Sequence, residues 1–445
     1  MNQDPLSRRG FLQQSAATLS LSQALYAQRK SLTPADFRQF QLRKETAERV
    51  EVGRQIILDE LKPTQAQLQR GLDLHFNSYV AEVMGSLYVA DPVITMIGDR
   101  LREDLAQFRQ SLEAKGIGEE EREQRVQERW RRMKAFESAF DPQWRQDYLG
   151  LYRLTGVDLA IEDVAHPPEN TFRRALKHLA RCQYVYESGQ DVVKVSRFED
   201  IQRARDEGKP ALIYHLAGVG SFAEADTPLE NLDLLYALGV RATQLTYRQK
   251  NLLCSSDQQR RDTGLTPLGR RVVRRLNDLG VMIHLAHAGE RTALEVIEVS
   301  EAPVYNAHVA CKAIYDSPRR IANQDDHYLR SLARKGGLAA VYAWPRQLSE
   351  RESPTFDDFA RHLEHAIQVA GIDHVAIGTD LTFLPHPTAS GIHKPHAMDW
   401  TNWPYFTVGL VCRGFSDDEI QKILGKNFLS FARQVLDRKP WGPLI

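Results

Sequence analysis

Cysteine is scarce in this sequence of 445 residues, which holds four copies and no CxxC spacing. A metal knuckle built from cysteines is therefore not expected, and four isolated cysteines leave disulfide pairing open. An excess of charge of one sign is also missing, because 58 lysines and arginines balance 58 aspartates and glutamates. This balance gives no reason to expect nucleic acid or an acidic membrane surface as a partner.

Long apolar runs are absent as well. No stretch of about 18 apolar residues occurs, so no transmembrane helix is expected in the mature chain. No glycine pattern of the dinucleotide-binding or phosphate-loop kind follows a predicted strand, which argues against a Rossmann fold. The length and the 42% hydrophobic content are those of a globular protein with one large barrel or two ordinary domains.

The first 27 residues have the features of an export signal. Ser7-Arg8-Arg9-Gly10-Phe11-Leu12 matches the twin-arginine pattern, and Ala24-Leu-Tyr-Ala27 is an A-x-A-like cleavage site. The alternative is an ordinary charged start that leads into a polar helix. We expect export through the twin-arginine route to a bacterial periplasm, with residues 28–70 forming a helical preamble to a domain at 71–445.

Short apolar runs alternate with helical periodicity through most of the domain. Strands are predicted at 71–77, 157–162, 211–217, 240–247, 337–344 and 374–380, with two more ending at His287 and His308. Eight strands that alternate with helices predict a closed (β/α)8 barrel, or TIM barrel. The charged stretch at about 92–150 is predicted to be a helical insertion after the first strand, as a lid or a partner surface.

Polar residues at the ends of these strands should converge at one mouth of the barrel. They are His75, Asn77, Glu162, Asp163, His215, Tyr247, His287, His308, Tyr342 and Asp380. Among them His75, His287 and His308 are candidate metal ligands, and Asp380 is a fourth ligand or a general base. The alternative is scattered strand-end polar residues.

Four other histidines are assigned to different places. His284 precedes His287 by three residues and is expected on the opposite strand face, as a core histidine. His386, His393 and His396 follow Asp380 in a proline-rich loop, where surface positions are expected.

Several motifs in order resemble one family. They are Gly264-Leu-Thr-Pro-Leu-Gly-Arg-Arg, Leu285-Ala-His287, Ala307-His308, Ser317-Pro-Arg319, Asp373-His-Val-Ala-Ile-Gly-Thr-Asp380 and Ile423-Leu-Gly-Lys-Asn-Phe-Leu429. Residues from about 71 to 432 are similar to the membrane (renal) dipeptidases, the M19 metallopeptidases. The resemblance implies a barrel of the metal-dependent amidohydrolase type with a two-zinc site that splits dipeptides.

The resemblance also implies roles for single residues. His75 corresponds to the first-strand ligand, and His287 and His308 correspond to the two histidines of the second metal. Asp380 corresponds to the acid that handles the proton, and Arg319 to the arginine that binds the substrate carboxylate. Tyr342 is expected to line the substrate pocket.

Three positions depart from the family pattern. Asn77 stands where the family has aspartate, and Leu216 stands where it has the glutamate that bridges both metals. A shift of one residue would bring His215 to the bridging place instead. Tyr247 replaces a histidine that contacts substrate in much of the family. Loss of two carboxylates predicts one zinc ion at most, because neighbouring dications need bridging negative charge.

Three functions follow as hypotheses, and whether the chain is an enzyme stays open. The first is hydrolysis of a dipeptide or small peptide with at most one zinc. The second is a catalytically silent protein that binds or hands over a peptide intermediate during periplasmic maturation of a siderophore-type product, by family analogy. The third is a scaffold whose helical insertion recruits a partner. A homodimer is the candidate assembly.

Overall fold

The structure is a computed structural model that describes residues 44–85, 99–140, 142–165, 172–219, 228–317, 323–351, 353–381 and 397–440. Several predicted features lie outside these ranges: the export signal, Arg319 and the loop histidines His386, His393 and His396.

Parallel strands form the centre of the molecule. They are β1 (Ala81–Glu82), β2 (Leu159–Ala165), β3 (Val193–Lys194), β4 (Ala211–Leu216), β5 (Val240–Gln244), β6 (Met282–His284), β7 (Tyr305–Val309), β8 (Leu338–Val341) and β9 (Val375–Ile377). Their order is β1-β2-β4-β5-β6-β7-β8-β9, and β3 pairs with β4 at the side. Two backbone hydrogen bonds join the ends of this path, from Val83 N to Ile377 O at 3.2 Å and from Asp380 N to Met84 O at 2.6 Å. The predicted eight-stranded (β/α)8 barrel is therefore confirmed.

Helices surround the barrel. They are α1 (Lys44–Leu61), α2 (Gln65–Asn77), α3 (Asp99–Glu113), α4 (Glu119–Phe140), α5 (Pro142–Thr155), α6 (Phe172–Gly189), α7 (Phe198–Asp206), α8 (Pro228–Ala237), α9 (Pro267–Leu279), α10 (Glu290–Val299), α11 (Asp326–Arg334), α12 (Pro345–Leu348), α13 (Phe356–Ala370), α14 (Trp403–Cys412), α15 (Asp417–Gln421) and α16 (Asn427–Leu436). Between β1 and β2 the described chain forms the helices α3, α4 and α5. None of the helices in the described ranges is long and apolar enough to span a membrane.

The period of two along each strand divides the core into an inner and an outer layer. On β4, Ala211 and Ile213 belong to the cluster inside the barrel, whereas Leu212, Tyr214 and Leu216 pack in the layer between strands and helices. Helix α16 closes the end of the barrel where the strands begin. The predicted site lies at the other end, where the strands finish.

The first strand was predicted wrongly. Residues 71–77 are not a strand but the last turns of α2, which begins at the N-cap Thr64 with a capping box to Gln67. The alternation of Leu72, Leu74 and Phe76 resembled a strand, but α2 packs along α14. Gly71 allows this contact, since a Cβ there would meet the Cα of Val408 at 2.7 Å. The barrel begins instead at β1.

The four cysteines, whose pairing the sequence left open, are all free thiols. They are Cys182, Cys254, Cys311 and Cys412, and the first three are buried. No disulfide links the elements of the barrel, whose packing therefore depends on its non-covalent contacts.

Candidate active site at the barrel mouth

The side chains at and just beyond the C-terminal ends of the strands form what we call the barrel mouth. They are Asp163, His215, Tyr247, Asp257, His284, His287, His308, Tyr342 and Asp380. Two of them, His287 and His308, were predicted to be metal ligands, and their rings meet nearly at right angles with centroids 5.2 Å apart. The structure therefore brings this histidine pair together.

Each of these histidines has a carboxylate beside it. Asp380 Oδ2 lies 3.4 Å from His308 Nε2, and Asp257 Oδ2 lies 3.4 Å from His287 Nδ1. Burial lowers the pKa of His308, and the charge of Asp380 partly opposes that shift. The predicted catalytic residue Asp380 is thus close enough to exchange a proton with a group bound at His308.

Asp257 was missed by the sequence analysis. It lies in the long loop between β5 and α9, and its backbone N–H donates to His287 O at 2.9 Å. The side chain is buried, and its Oδ1 atom has no hydrogen-bond partner within the described residues. The available signal was the length of this loop, because loops after barrel strands build the site in this architecture.

Two tyrosines cover the histidine pair. The ring of Tyr247 lies 4.6 Å from that of His287, and the ring of Tyr342 stacks on His308 at 5.5 Å. Burial raises the pKa of Tyr247 to about 12 and that of Tyr342 well above its ordinary value. Both phenols therefore stay protonated and can donate a hydrogen bond to a ligand, which suits their predicted role in substrate binding.

The backbone is strained at the mouth. Among the described residues other than glycine, five have positive φ, and three of these are Arg248 (58°), His287 (62°) and Asp380 (53°) beside or in the mouth. Such conformations cost about 1–3 kcal/mol each and persist where surrounding structure holds them. Backbone strain of this kind is common at ligand-binding and catalytic sites, which agrees with the prediction of a site here.

Glu82 holds the chain around Asp380 and was also missed. Its buried carboxyl accepts hydrogen bonds from Thr379 N and Oγ1, both at 2.7 Å, and from Trp403 Nε1 at 3.0 Å. Burial raises the pKa of Glu82 to about 8, although the hydrogen bonds oppose that shift. A lone acid within the apolar run Val80–Met84 was the sequence signal for it.

A row of buried polar side chains forms the floor of the mouth. His215 Nδ1 lies 3.2 Å from Asp163 Oδ1, and His284 Nδ1 lies 3.4 Å from His215 Nε2. His284 is the buried core histidine that was expected, with partners at both ring nitrogens, but it faces the mouth instead of the opposite side, because β6 ends at His284 and the chain turns there. As a result, the ring of His284 lies 5.2 Å from that of His308.

His75, predicted to be a metal ligand, is not at the mouth. It is buried in α2, where Nδ1 contacts Thr407 Oγ1 and Nε2 contacts Thr155 O, both at 2.8 Å. Both ring nitrogens are therefore occupied by hydrogen bonds that join α2 to α14 and α5. Asn77 lies at the end of the same helix and donates to Asp73 O, so its comparison with the family's aspartate was misplaced.

The alignment of Leu216 with the bridging glutamate is not supported by the structure. Leu216 packs in the outer layer of the barrel wall, whereas His215 faces inward to Asp163 and His284. The position that faces the mouth on β4 therefore carries an imidazole, which was the alternative weighed from the sequence.

The donors at the mouth do not fit a two-zinc centre. Beyond β1 the chain continues with Val83, Met84 and Gly85, which offer no imidazole or carboxylate, and β4 offers His215. In the part of the chain that the structure describes, no group of three or more His, Cys, Asp or Glu side chains is arranged to hold a metal ion. His287 and His308 remain as two imidazoles for one ion. Within the described residues, the buried Nδ1 atom of His308 has no hydrogen-bond partner, and that of His287 has only Asp257 Oδ2 nearby, at 3.4 Å.

Comparison with known sequences gives consistent relatives. The chain is 31% identical over 224 residues to Dipeptidase verJ of Clonostachys rogersoniana, which covers 50% of this chain and 54% of that protein. It is 30% identical over 226 residues to human Dipeptidase 3, covering 49% of this chain and 44% of that one. The chain thus matches about half the length of these curated relatives.

Solved structures share the fold. The probable dipeptidase PvdM from Pseudomonas aeruginosa superposes with a TM-score of 0.62 at 19% identity, covering 84% of this chain and 99% of that chain. An amidohydrolase from Pseudomonas aeruginosa gives a TM-score of 0.61 at 21% identity, covering 82% and 99%. These likenesses establish the amidohydrolase-type barrel and nothing finer.

The family assignment comes from the sequence match. The family described as membrane dipeptidase (peptidase family M19) matches residues 131–439, which is more than half of the chain. The match includes β2 to β9 and all of the mouth residues named above. This chain belongs to the membrane dipeptidase family, peptidase family M19.

Proposed function

We propose that this chain hydrolyses a short peptide or peptide-like molecule in its barrel mouth with no more than one zinc ion. The observation that carries the proposal is the pairing of His308 with Asp380, 3.4 Å apart, beside the ring of His287. Zinc would supply Lewis acidity toward the peptide carbonyl. His287 and His308 are the residues proposed to hold it.

The other residues bind and orient the peptide. Asp380 accepts the proton that hydrolysis releases from the attacking water, since it lies beside His308 on a backbone held in a fixed conformation. The phenols of Tyr247 and Tyr342 donate hydrogen bonds to the peptide. Arg319, beyond the described residues, is proposed to bind the terminal carboxylate through a bidentate contact.

The proposed ligand class follows from the relatives. The curated relatives named above are dipeptidases by name. A metallo peptidase from Rhodobacter sphaeroides, with a TM-score of 0.55 at 19% identity, was solved with a phosphinate mimic of the dipeptide L-Ala-D-Ala. We propose a dipeptide-sized ligand for this chain, met in the periplasm after export directed by residues 1–27.

The test measures metal content and turnover together. The exported protein is purified, zinc per chain is determined by elemental analysis, and a panel of dipeptides that includes L-Ala-D-Ala is assayed with and without added zinc. We expect turnover with no more than about one zinc per chain. Asp380→Asn should reduce kcat at least about 100-fold, the size of a lost general base. His327→Gln, an exposed change on α11, is the matched control and should leave kcat unchanged.

A second candidate is a peptide-binding protein without catalysis. Two observations favour it: the inner face of β4 carries His215 instead of a carboxylate, and the described residues hold no group of three side chains arranged to bind a metal ion. Binding of dipeptides by calorimetry without turnover, after zinc reconstitution, would establish this candidate against the hydrolase. Two tightly bound zinc ions per chain would refute both, and so would failure to bind any peptide.

A further inference from the structure

The floor of the barrel mouth is a continuous row of hydrogen bonds, and these bonds fix which ring nitrogen of His215 and of His284 carries a proton. Ala307 N–H donates to His284 Nε2 at 3.0 Å, so that nitrogen carries no proton. Neutral His284 must then carry its proton on Nδ1, which points at His215 Nε2 at 3.4 Å. His215 Nε2 is thus an acceptor, and its own proton lies on Nδ1 and is donated to Asp163 Oδ1 at 3.2 Å.

The row is anchored in the barrel wall. Asp163, His215 and His284 lie on β2, β4 and β6, and the amide that ends the row belongs to β7. All three side chains are buried, with His215 fully inaccessible to solvent. Asp163 Oδ1 accepts a further hydrogen bond from Ala217 N at 3.1 Å.

His215, in the middle of this row, is the residue that a shift of one position in the alignment would bring to the place of the family's bridging carboxylate. His215 can coordinate a metal through Nε2 only if it gives up the proton of His284, and both nitrogens of His284 are engaged. A zinc ion on this floor would therefore break two buried hydrogen bonds without gaining a bridging negative charge. All four ring nitrogens of His215 and His284 have hydrogen-bond partners in the row, so neither ring has a free lone pair for a cation.

We infer that the Asp163–His215–His284 row replaces the metal pair as the element that holds the floor of the mouth, so that the mouth is organised and binds its peptide without metal. The part that concerns the peptide rests on the proposed function. The part that concerns the floor does not, and can be tested without any ligand.

The first experiment reads the protons directly. The full chain is labelled with ¹⁵N-histidine, and its ring nitrogens are observed by long-range ¹⁵N–¹H NMR, with assignment by His215→Gln and His284→Gln. We expect both rings as the neutral tautomer with the proton on Nδ1, unchanged when zinc is added to two equivalents. A proton on Nε2 of either ring, or a zinc-dependent shift of the His215 or His284 nitrogens, would overturn the inference.

The second experiment reads binding. Chelator-treated protein is titrated calorimetrically with L-Ala-D-Ala and with its phosphinate mimic, with and without zinc. We expect the dissociation constants to differ by less than about threefold between the two conditions. Peptide binding that appears only with zinc would overturn the inference while leaving the proposed function standing. Failure to bind in either condition would count against the proposed function, and the NMR result would still decide the floor.

A matched pair of variants tests whether His215 or Leu216 occupies the position of the family's bridging carboxylate. His215→Glu places a carboxylate on the inner face of β4 and should raise zinc retained after dialysis at least about tenfold. Leu216→Glu places the same charge in the outer layer, where it should destabilise the fold without raising zinc retention. Equal zinc retention in a folded His215→Glu variant and in the wild type would contradict the assigned role of His215.

Discussion

At the scale of single residues, the mouth depends on groups whose charge is set by burial. Glu82 is fully buried beneath Asp380, and four hydrogen bonds from Thr379, Trp403 and Met84 reach its carboxyl oxygens. Loss of solvent still dominates and raises the pKa of Glu82 from 4.5 to about 8. Glu82, which holds the chain beside Asp380, should therefore make the free energy of unfolding depend on pH.

Glu82→Gln should remove that dependence. Between pH 4.5 and 8 the carboxyl ionises more easily in the unfolded chain than in the folded one, so wild-type stability falls as pH rises through this window. Glutamine keeps the shape and cannot ionise. The free energy of unfolding of the wild type, relative to this variant, should fall by about 3 kcal/mol between pH 5 and pH 8 in urea titrations. Parallel pH curves for the two proteins would contradict the shift.

At the scale of elements, α2 contains the residues that were predicted to form the first strand, and it lies away from the barrel mouth. The run around His75 fits a strand or a helix by pattern, and the capping box at Thr64 selects the helix. Packing against α14 then buries His75, where it serves as a link between helices. The histidine at this position is therefore structural.

His75→Phe should lower stability and leave metal binding alone. Phenylalanine keeps a ring but leaves Thr155 O and Thr407 Oγ1 without their partner, at about 1–3 kcal/mol for each buried group left unsatisfied. The free energy of unfolding from urea titrations should fall by at least about 2 kcal/mol, while the zinc content of the folded protein stays at the wild-type level. The exposed His327→Phe is the control for loss of a histidine. A variant of wild-type stability with less zinc would restore His75 as a ligand.

At the scale of the whole molecule, helix α16 packs across the end of the barrel where the strands begin. Helix α16 packs Phe428, Phe431 and Val435 against the residues inside the barrel. The ring of Tyr305, the first residue of β7, lies 5.5 Å from that of Phe431. This packing supports the starts of the strands, at the end of the barrel opposite to the mouth residues.

Phe431→Ala should therefore destabilise the whole fold. Removing a buried phenylalanine costs about 3–5 kcal/mol through lost transfer energy and the remaining cavity. Leu429→Ala, a half-buried neighbour on the same helix, is the matched control and should cost less than half as much. Both values come from urea unfolding curves. Equal losses would show that α16 does not close the barrel as a packed element.

Much of the fold could be predicted from the sequence, because strands and helices of an alternating barrel have distinct periods. Strand β4 begins at its predicted first residue and ends within one residue of its predicted end. The prediction of the first strand failed because β1 has only two paired residues, Ala81 and Glu82, which are too few to show a period of two in the sequence. Asp257 was missed because it lies in a loop, and a loop has no periodicity that would predict which of its residues reaches the barrel mouth.

The sequence by itself determined the family, the barrel and the residues His287, His308, Tyr247, Tyr342 and Asp380, because strand ends in this architecture must converge. Only the tertiary structure decided which neighbouring side chains face one another. It moved His75 into a helix contact, turned Leu216 outward and His215 inward, and joined His284 to the floor. The physical reason is that the direction in which a side chain points depends on where its strand ends and on which residues pack behind it. The local sequence pattern predicts neither.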